Sequence, residues 1–160
     1  DHGTSNGEKF GEKMYGCYLY NYTINIFCVI CLPKSQSKEI KYMVRSVDIF
    51  PTILDLLNIK IDDSYEALDG KSLMSFISNT ENKSRKAFCE TGRINKENIS
   101  KSEHNIFCII EGNWKLIFNK DKNVYELYDI LNDPSEENNL FAIEKDIFIK
   151  LKKELMIKIS

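Results

Sequence analysis

The chain has 160 residues, 42% of them hydrophobic and 29% charged, which is the composition of a folded domain with a core and argues against fibrous or disordered classes. A formal charge of −2, with the lysines scattered, supplies no concentrated positive surface and argues against nucleic acid as a partner. The longest apolar run, Ile26 to Leu32, is far short of the roughly 20 residues that span a bilayer, and no signal peptide is visible, although cleavage would have removed one.

The chain opens on Asp1-His2-Gly3, where a hard carboxylate and a borderline imidazole stand side by side as half of a metal site would, and glycine lets the backbone turn away behind them. Residues 24–32, INIFCVICL, form a nearly continuous apolar run stopped by Pro33, the pattern of a strand covered on both faces. After the polar loop PKSQSKEIK, Val47, Phe50, Ile53, Leu54 and Leu57 recur at helical spacing, with Pro51 tolerated in the first turn. Asp69-Gly70 marks a turn before a second apolar stripe of Leu73, Phe76 and Ile77. The first half therefore alternates strand and helix.

Beyond residue 80 the character changes. KAFCETG, HNIFCIIEGNWKLIFN and VYELYDIL are short β-prone runs separated by turn formers, which predicts an antiparallel meander with its best hairpin at Glu111 to Trp114. NDPSEENNL breaks the sheet, and Ile143 to Ile159 carries Ile147, Leu151, Leu155 and Ile159 at helical repeats, a closing amphipathic helix. The expected division is an α/β part over 1–80 and a small antiparallel sheet with a C-terminal helix over 81–160.

Five cysteines, Cys17, Cys28, Cys31, Cys89 and Cys108, are odd in number and mostly embedded in apolar runs, which favours free thiols in a reducing, cytoplasmic compartment. Sequons at Asn21, Asn82 and Asn98 carry little weight in a chain so rich in asparagine. Cys28 and Cys31 have the spacing of a zinc knuckle, but no second ligand pair follows. His104 is solitary and reads as a loop or edge residue.

Several pieces taken in order, DHGTSNGEKFGEKMYG, VDIFPTILDLL, DGKSL, and NWKLI with YELYDILNDPSEENNL, resemble the C-terminal part of the sulfatase family in the alkaline phosphatase superfamily. The resemblance covers essentially the whole chain. It implies an alkaline-phosphatase-like α/β sandwich, with Asp1 and His2 as ligands to a divalent cation, calcium by family expectation, at the end of a parallel strand. It also implies a basic residue shortly afterwards to contact sulfate or phosphate oxygens. At the best-aligned position the chain has Tyr15-Gly16 where many relatives have His-Gly. Lys13 is then the expected catalytic group, with Lys9 as the alternative anion contact and the Tyr15 hydroxyl as a third.

Cys31-Leu32-Pro33-Lys34-Ser35 imitates the Cys-x-Pro-x-Arg signature of a formylglycine nucleophile but lacks the arginine and lies downstream of Asp-His, so it reads as a strand end. Trp114 reads as packing, and Asp133-Pro134 with Ser135 and Glu136 as a turn. The resemblance thus implies a fragment of a hydrolase for sulfate esters, on a sulfated small molecule or glycan, inactive without an upstream nucleophile and completed by the N-terminal half of its own domain. Two other readings stand beside it: a phosphoric or phosphonic ester hydrolase or phosphoglycerol transferase of the same superfamily, and a non-catalytic remnant or interaction module.

Overall fold

The computed structural model describes residues 2–9, 18–33, 37–61, 67–93 and 103–160, and the chain divides into two compact units. The first comprises residues 1–30 and 88–160, the second residues 31–87.

The first unit is built on a four-stranded sheet with order β1-β2-β3-β4: β1 (Ala87–Arg93), β2 (Glu103–Glu111), β3 (Trp114–Asn119) and β4 (Val124–Asp129). β2 pairs antiparallel with β3 from Ile106↔Asn119 to Glu111↔Trp114, and β3 with β4 from Trp114↔Asp129 to Asn119↔Val124. The meander is as expected, with Gly112 at φ 59 supplying the left-handed residue of the first hairpin and Asn123 at φ 50 that of the second.

Because side chains alternate across a strand, the register sorts them into two faces. Phe107, Ile109, Leu116, Phe118 and Leu127 fall on one, where they meet Leu151 and Leu155 of α4 (Lys145–Ile159) in the core. Ile147 and Ile159 pack at its margin, so the four-residue repeat in the sequence is the buried stripe of the helix. Each fully buried leucine contributes about 1.5–3 kcal/mol. The opposite face carries Cys108, Lys115, Glu126 and Tyr128 beside the buried Ile110 and Ile117, a mixture of polar and apolar groups.

In the second unit, a 3-10 turn (Ser46–Asp48) leads into α2 (Ile49–Leu56), and α3 spans Met74–Ile77. Asn58 at φ 54 closes α2 in a left-handed cap, its N–H donating to Asp55 and that of Ile59 to Leu54. Lys38 plays the same part for α3, its ammonium donating to the carbonyls of Phe76 and Ile77. The centre of this unit is the Asp48 carboxylate, fully buried, which accepts from the Arg45 guanidinium (2.7 Å) and the Lys71 N–H (2.9 Å) and pairs with Arg85 (3.1 Å). Thr52 lies beside it, its hydroxyl accepting from the Leu73 N–H at 2.8 Å. Gly70 is required here because a Cβ would stand 1.8 Å from the Val47 carbonyl oxygen.

Two expected elements differ. Residues 25–32 lie outside any helix or strand, with Phe27 and Val29 exposed, and only Asn21–Ile24 (α1) is helical nearby. An apolar strand of this kind forms only between parallel neighbours, and none exists among the described residues. The α2 helix forms as expected, but Phe50, Ile53 and Leu57 point outward, while Thr52 is buried.

Candidate functional site

The mixed face of the sheet holds the N-terminal segment. Lys115, the second residue of β3, has no exposure, and its ammonium lies 2.7 Å from Glu136 Oε1, also fully buried. This is a charge contact without in-line hydrogen-bond geometry; the ammonium donates instead to Asn21 Oδ1 at 3.1 Å. The other oxygen of Glu136 accepts the backbone N–H of Asn21 at 2.6 Å, at the start of α1. Glu136 reaches this position with φ 56, a left-handed conformation that a glutamate adopts only when its surroundings impose it.

From α1 the connection continues to the His2-Gly3 segment. The Gly3 N–H donates to the Thr23 carbonyl at 2.9 Å, and a Cβ on Gly3 would stand 1.9 Å from the Tyr22 carbonyl oxygen. Glycine is needed there for close approach of two backbones. His2 is exposed, with Nδ1 2.8 Å from the Gly3 carbonyl oxygen. A carbonyl can only accept, so Nδ1–H is the donor in this contact, the arrangement of an imidazole oriented by a backbone carbonyl.

After this segment, Ser5 to Glu8 closes on itself: the Ser5 hydroxyl (2.8 Å) and the Asn6 N–H (2.7 Å) both donate to Glu8, whose pKa the Ser5 hydrogen bond lowers. The loop delivers Lys9 onto the sheet. Its ammonium donates to the Glu136 carbonyl and the Tyr128 hydroxyl, and lies 4.0 Å from the centre of the Tyr20 ring and 4.6 Å from that of Tyr128. Burial pulls its pKa below the usual lysine range, against the attraction of Glu126 and Glu136. Glu126 in turn accepts from both tyrosines, at 2.8 Å from Tyr20 and 2.5 Å from Tyr128. Burial and then the neighbouring carboxylate hold both phenols well above their ordinary pKa, so they remain donors.

Of the expected site residues, His2 and Lys9 are therefore placed in the first unit, while Asp1, Lys13 and Tyr15 lie outside the described residues. Among the described residues no group of three or more His, Cys, Asp or Glu side chains is arranged to hold a metal ion. No described helix is long and apolar enough to cross a membrane. Lys115, Glu126 and Glu136 were not singled out for this network; the available signal was a lysine alternating with apolar residues inside a strand that should have had an apolar face on each side.

An antiparallel sheet covered by a C-terminal helix, in a mixed α/β chain, matches the fold of sulfatases with the alkaline-phosphatase-like architecture. The sequence matches the family described as N-sulphoglucosamine sulphohydrolase, C-terminal, over residues 12–160, and the chain belongs to that family. Among solved structures it is similar to a 2-O GAG sulfatase, at TM-score 0.68 and 20% identity over 92% of this chain and 32% of that one. It is similar to a protein solved with its substrate D-glucosamine-2-N,6-O-disulfate, at TM-score 0.61 and 23% identity over 91% and 29%. It is also similar to the phosphonate monoester hydrolase of Agrobacterium radiobacter, at TM-score 0.55 and 25% identity over 73% and 25%. The chain thus spans a quarter to a third of the length of these structures. No curated protein matches it significantly.

Proposed function

We propose that this chain supplies one edge of the active site of a sulfate-ester hydrolase acting on a sulfated glycan or sulfated small molecule. The observation that carries the reading is the His2-Gly3 segment of the Asp-His-Gly sequence, with no space for a side chain at Gly3 and the imidazole oriented by its Nδ1 contact to the Gly3 carbonyl. Asp1 and His2 would hold the cation, a carboxylate and an imidazole being a donor set that suits a divalent ion. Calcium is the expected ion, and when bound it neutralises charge on the sulfate oxygens. Two ligands do not complete a coordination shell, so the cation needs further donors besides Asp1 and His2, and the reaction needs the formylglycine nucleophile expected of the family.

Lys9 already gives two of its three N–H donors to protein acceptors, which makes it a brace for the loop. Lys13 and Tyr15 remain the groups for the anion. The sulfated amino sugar in the family's description and in the complex of one structural neighbour supports a sulfated glycan as substrate.

The phosphonate ester hydrolase among the neighbours keeps a second reading in view. Assaying the protein that carries this chain against an aryl sulfate, a glucosamine sulfate and a phosphonate monoester separates the two. Sulfate release lost in His2→Ala is the expected result. Turnover of the phosphonate alone would replace sulfuryl with phosphoryl chemistry, and no turnover of any ester would leave a non-catalytic module.

A further inference from the structure

The four described cysteines are all unbridged, and two of them meet. β1 is the edge strand beside β2. Phe88 of β1 stacks on Phe107 of β2, with ring centres 6.4 Å apart, on the side covered by α4. Side-chain alternation then places Cys89 and Cys108 both on the other side of the sheet, and there the two thiols share a hydrogen bond. Neighbouring strands lie about 4.7–4.9 Å apart, so two cysteines on one face of adjacent strands are within the range that a disulfide can bridge. Cys108 is fully buried and Cys89 only partly so, which makes Cys89 the more accessible member of the pair.

We propose that Cys89 and Cys108 form a peroxide-sensitive dithiol, with Cys89 as the attacking sulfur and Cys108 as the resolving one. The Cys108 S–H donates to the Cys89 sulfur; although burial opposes it, that bond and the charge of Lys115 bring Cys89 down to about 7, while Cys108 is pushed well up. In the first step the Cys89 thiolate attacks hydrogen peroxide. An S–O bond forms, the O–O bond breaks, and the departing hydroxide takes a proton to become water. Sulfur is oxidised by two electrons to a sulfenic acid and the peroxide is reduced. Cys108 then loses its proton and attacks the Cys89 sulfur; the S–S bond forms, the S–O bond breaks, and the second oxygen leaves as water. The product fastens the edge strand to its neighbour by a covalent bond.

The test is to oxidise the reduced chain with one equivalent of hydrogen peroxide under native conditions, block remaining thiols and map tryptic peptides. The expected result is a linked pair of peptides 87–93 and 102–115, reversed by dithiothreitol, with a raised thermal midpoint. In Cys108→Ser, whose hydroxyl keeps a donor at that position, dimedone should trap a sulfenic acid on Cys89. Should that variant fail to fold, Cys89→Ser provides the complementary reading, with Cys108 left as a thiol under the same peroxide. Oxidation confined to the exposed Cys28 and Cys31, or a bridge that forms only after denaturation, would overturn the assignment.

Discussion

Gly3 shows what a single missing Cβ decides. The Tyr22 carbonyl oxygen occupies the position where a side chain would begin, so Gly3→Ala must separate the two backbones and break the bond to Thr23. The expected outcome is a faster-exchanging Gly3 amide and, if His2 is a ligand, cation affinity reduced on the order of 10- to 100-fold; an unchanged amide exchange rate would refute the packing argument. The buried pair of Lys115 and Glu136 makes a second case at this scale. Removing one partner leaves a desolvated charge, so Lys115→Met and Glu136→Gln should each cost about 3–5 kcal/mol in chemical denaturation. The double variant should recover a large part of that loss. If each single change costs less than about 1 kcal/mol, the pair is solvated in solution.

Among the elements, the sheet was the most legible. Short β-prone runs, turn residues of known geometry and a four-residue apolar repeat in α4 each specify a local structure, and all agree with one fold. The helix begins at Lys145, two residues after the apolar pattern, because Ile143 belongs to the turn that precedes it, its N–H donating to Leu140. The orientation of α2 was not legible: an apolar stripe indicates a buried face but not what covers it. Instead, charge holds the second unit together. Arg85 joins Asp48 at 3.1 Å to Glu81 at 2.7 Å, and hydrogen bonds from Arg85 and Ser75 hold the Glu81 carboxyl at about 2. A carboxylate whose pKa is depressed on folding contributes stability that is complete above its unfolded value near 4.5 and is lost as pH falls toward 2. Thermal midpoints measured between pH 5 and pH 2.5 should therefore fall, and Glu81→Gln should flatten that dependence. A parallel fall in both proteins would move the effect elsewhere.

For the whole molecule, the decisive feature is apolar surface. Phe27 is 92% exposed and Val29 76%, and α2 presents Phe50 and Leu57. Exposed apolar groups of this kind on either unit drive association. The 160 residues studied alone should self-associate with concentration in sedimentation velocity, and Phe27→Ser with Phe50→Ser should reduce it. A monodisperse monomer of the unsubstituted chain at high concentration would contradict that. The same surface explains why residues 24–32 read as a strand and are not one here: the pattern records neighbours that these residues do not contain.

By itself the sequence determined the meander, its hairpins, the C-terminal helix and the family, because each rests on short-range spacing or on motifs in order. Only the tertiary structure decided that Gly3 is a point of backbone contact, that Lys9 braces a loop, and that Lys115, Glu136 and Asn21 tie the N-terminal segment to the sheet. Those partners lie about a hundred residues apart in the chain, 94 between Lys115 and Asn21 and 115 between Glu136 and Asn21. No local pattern encodes a contact that only the closing of the fold creates.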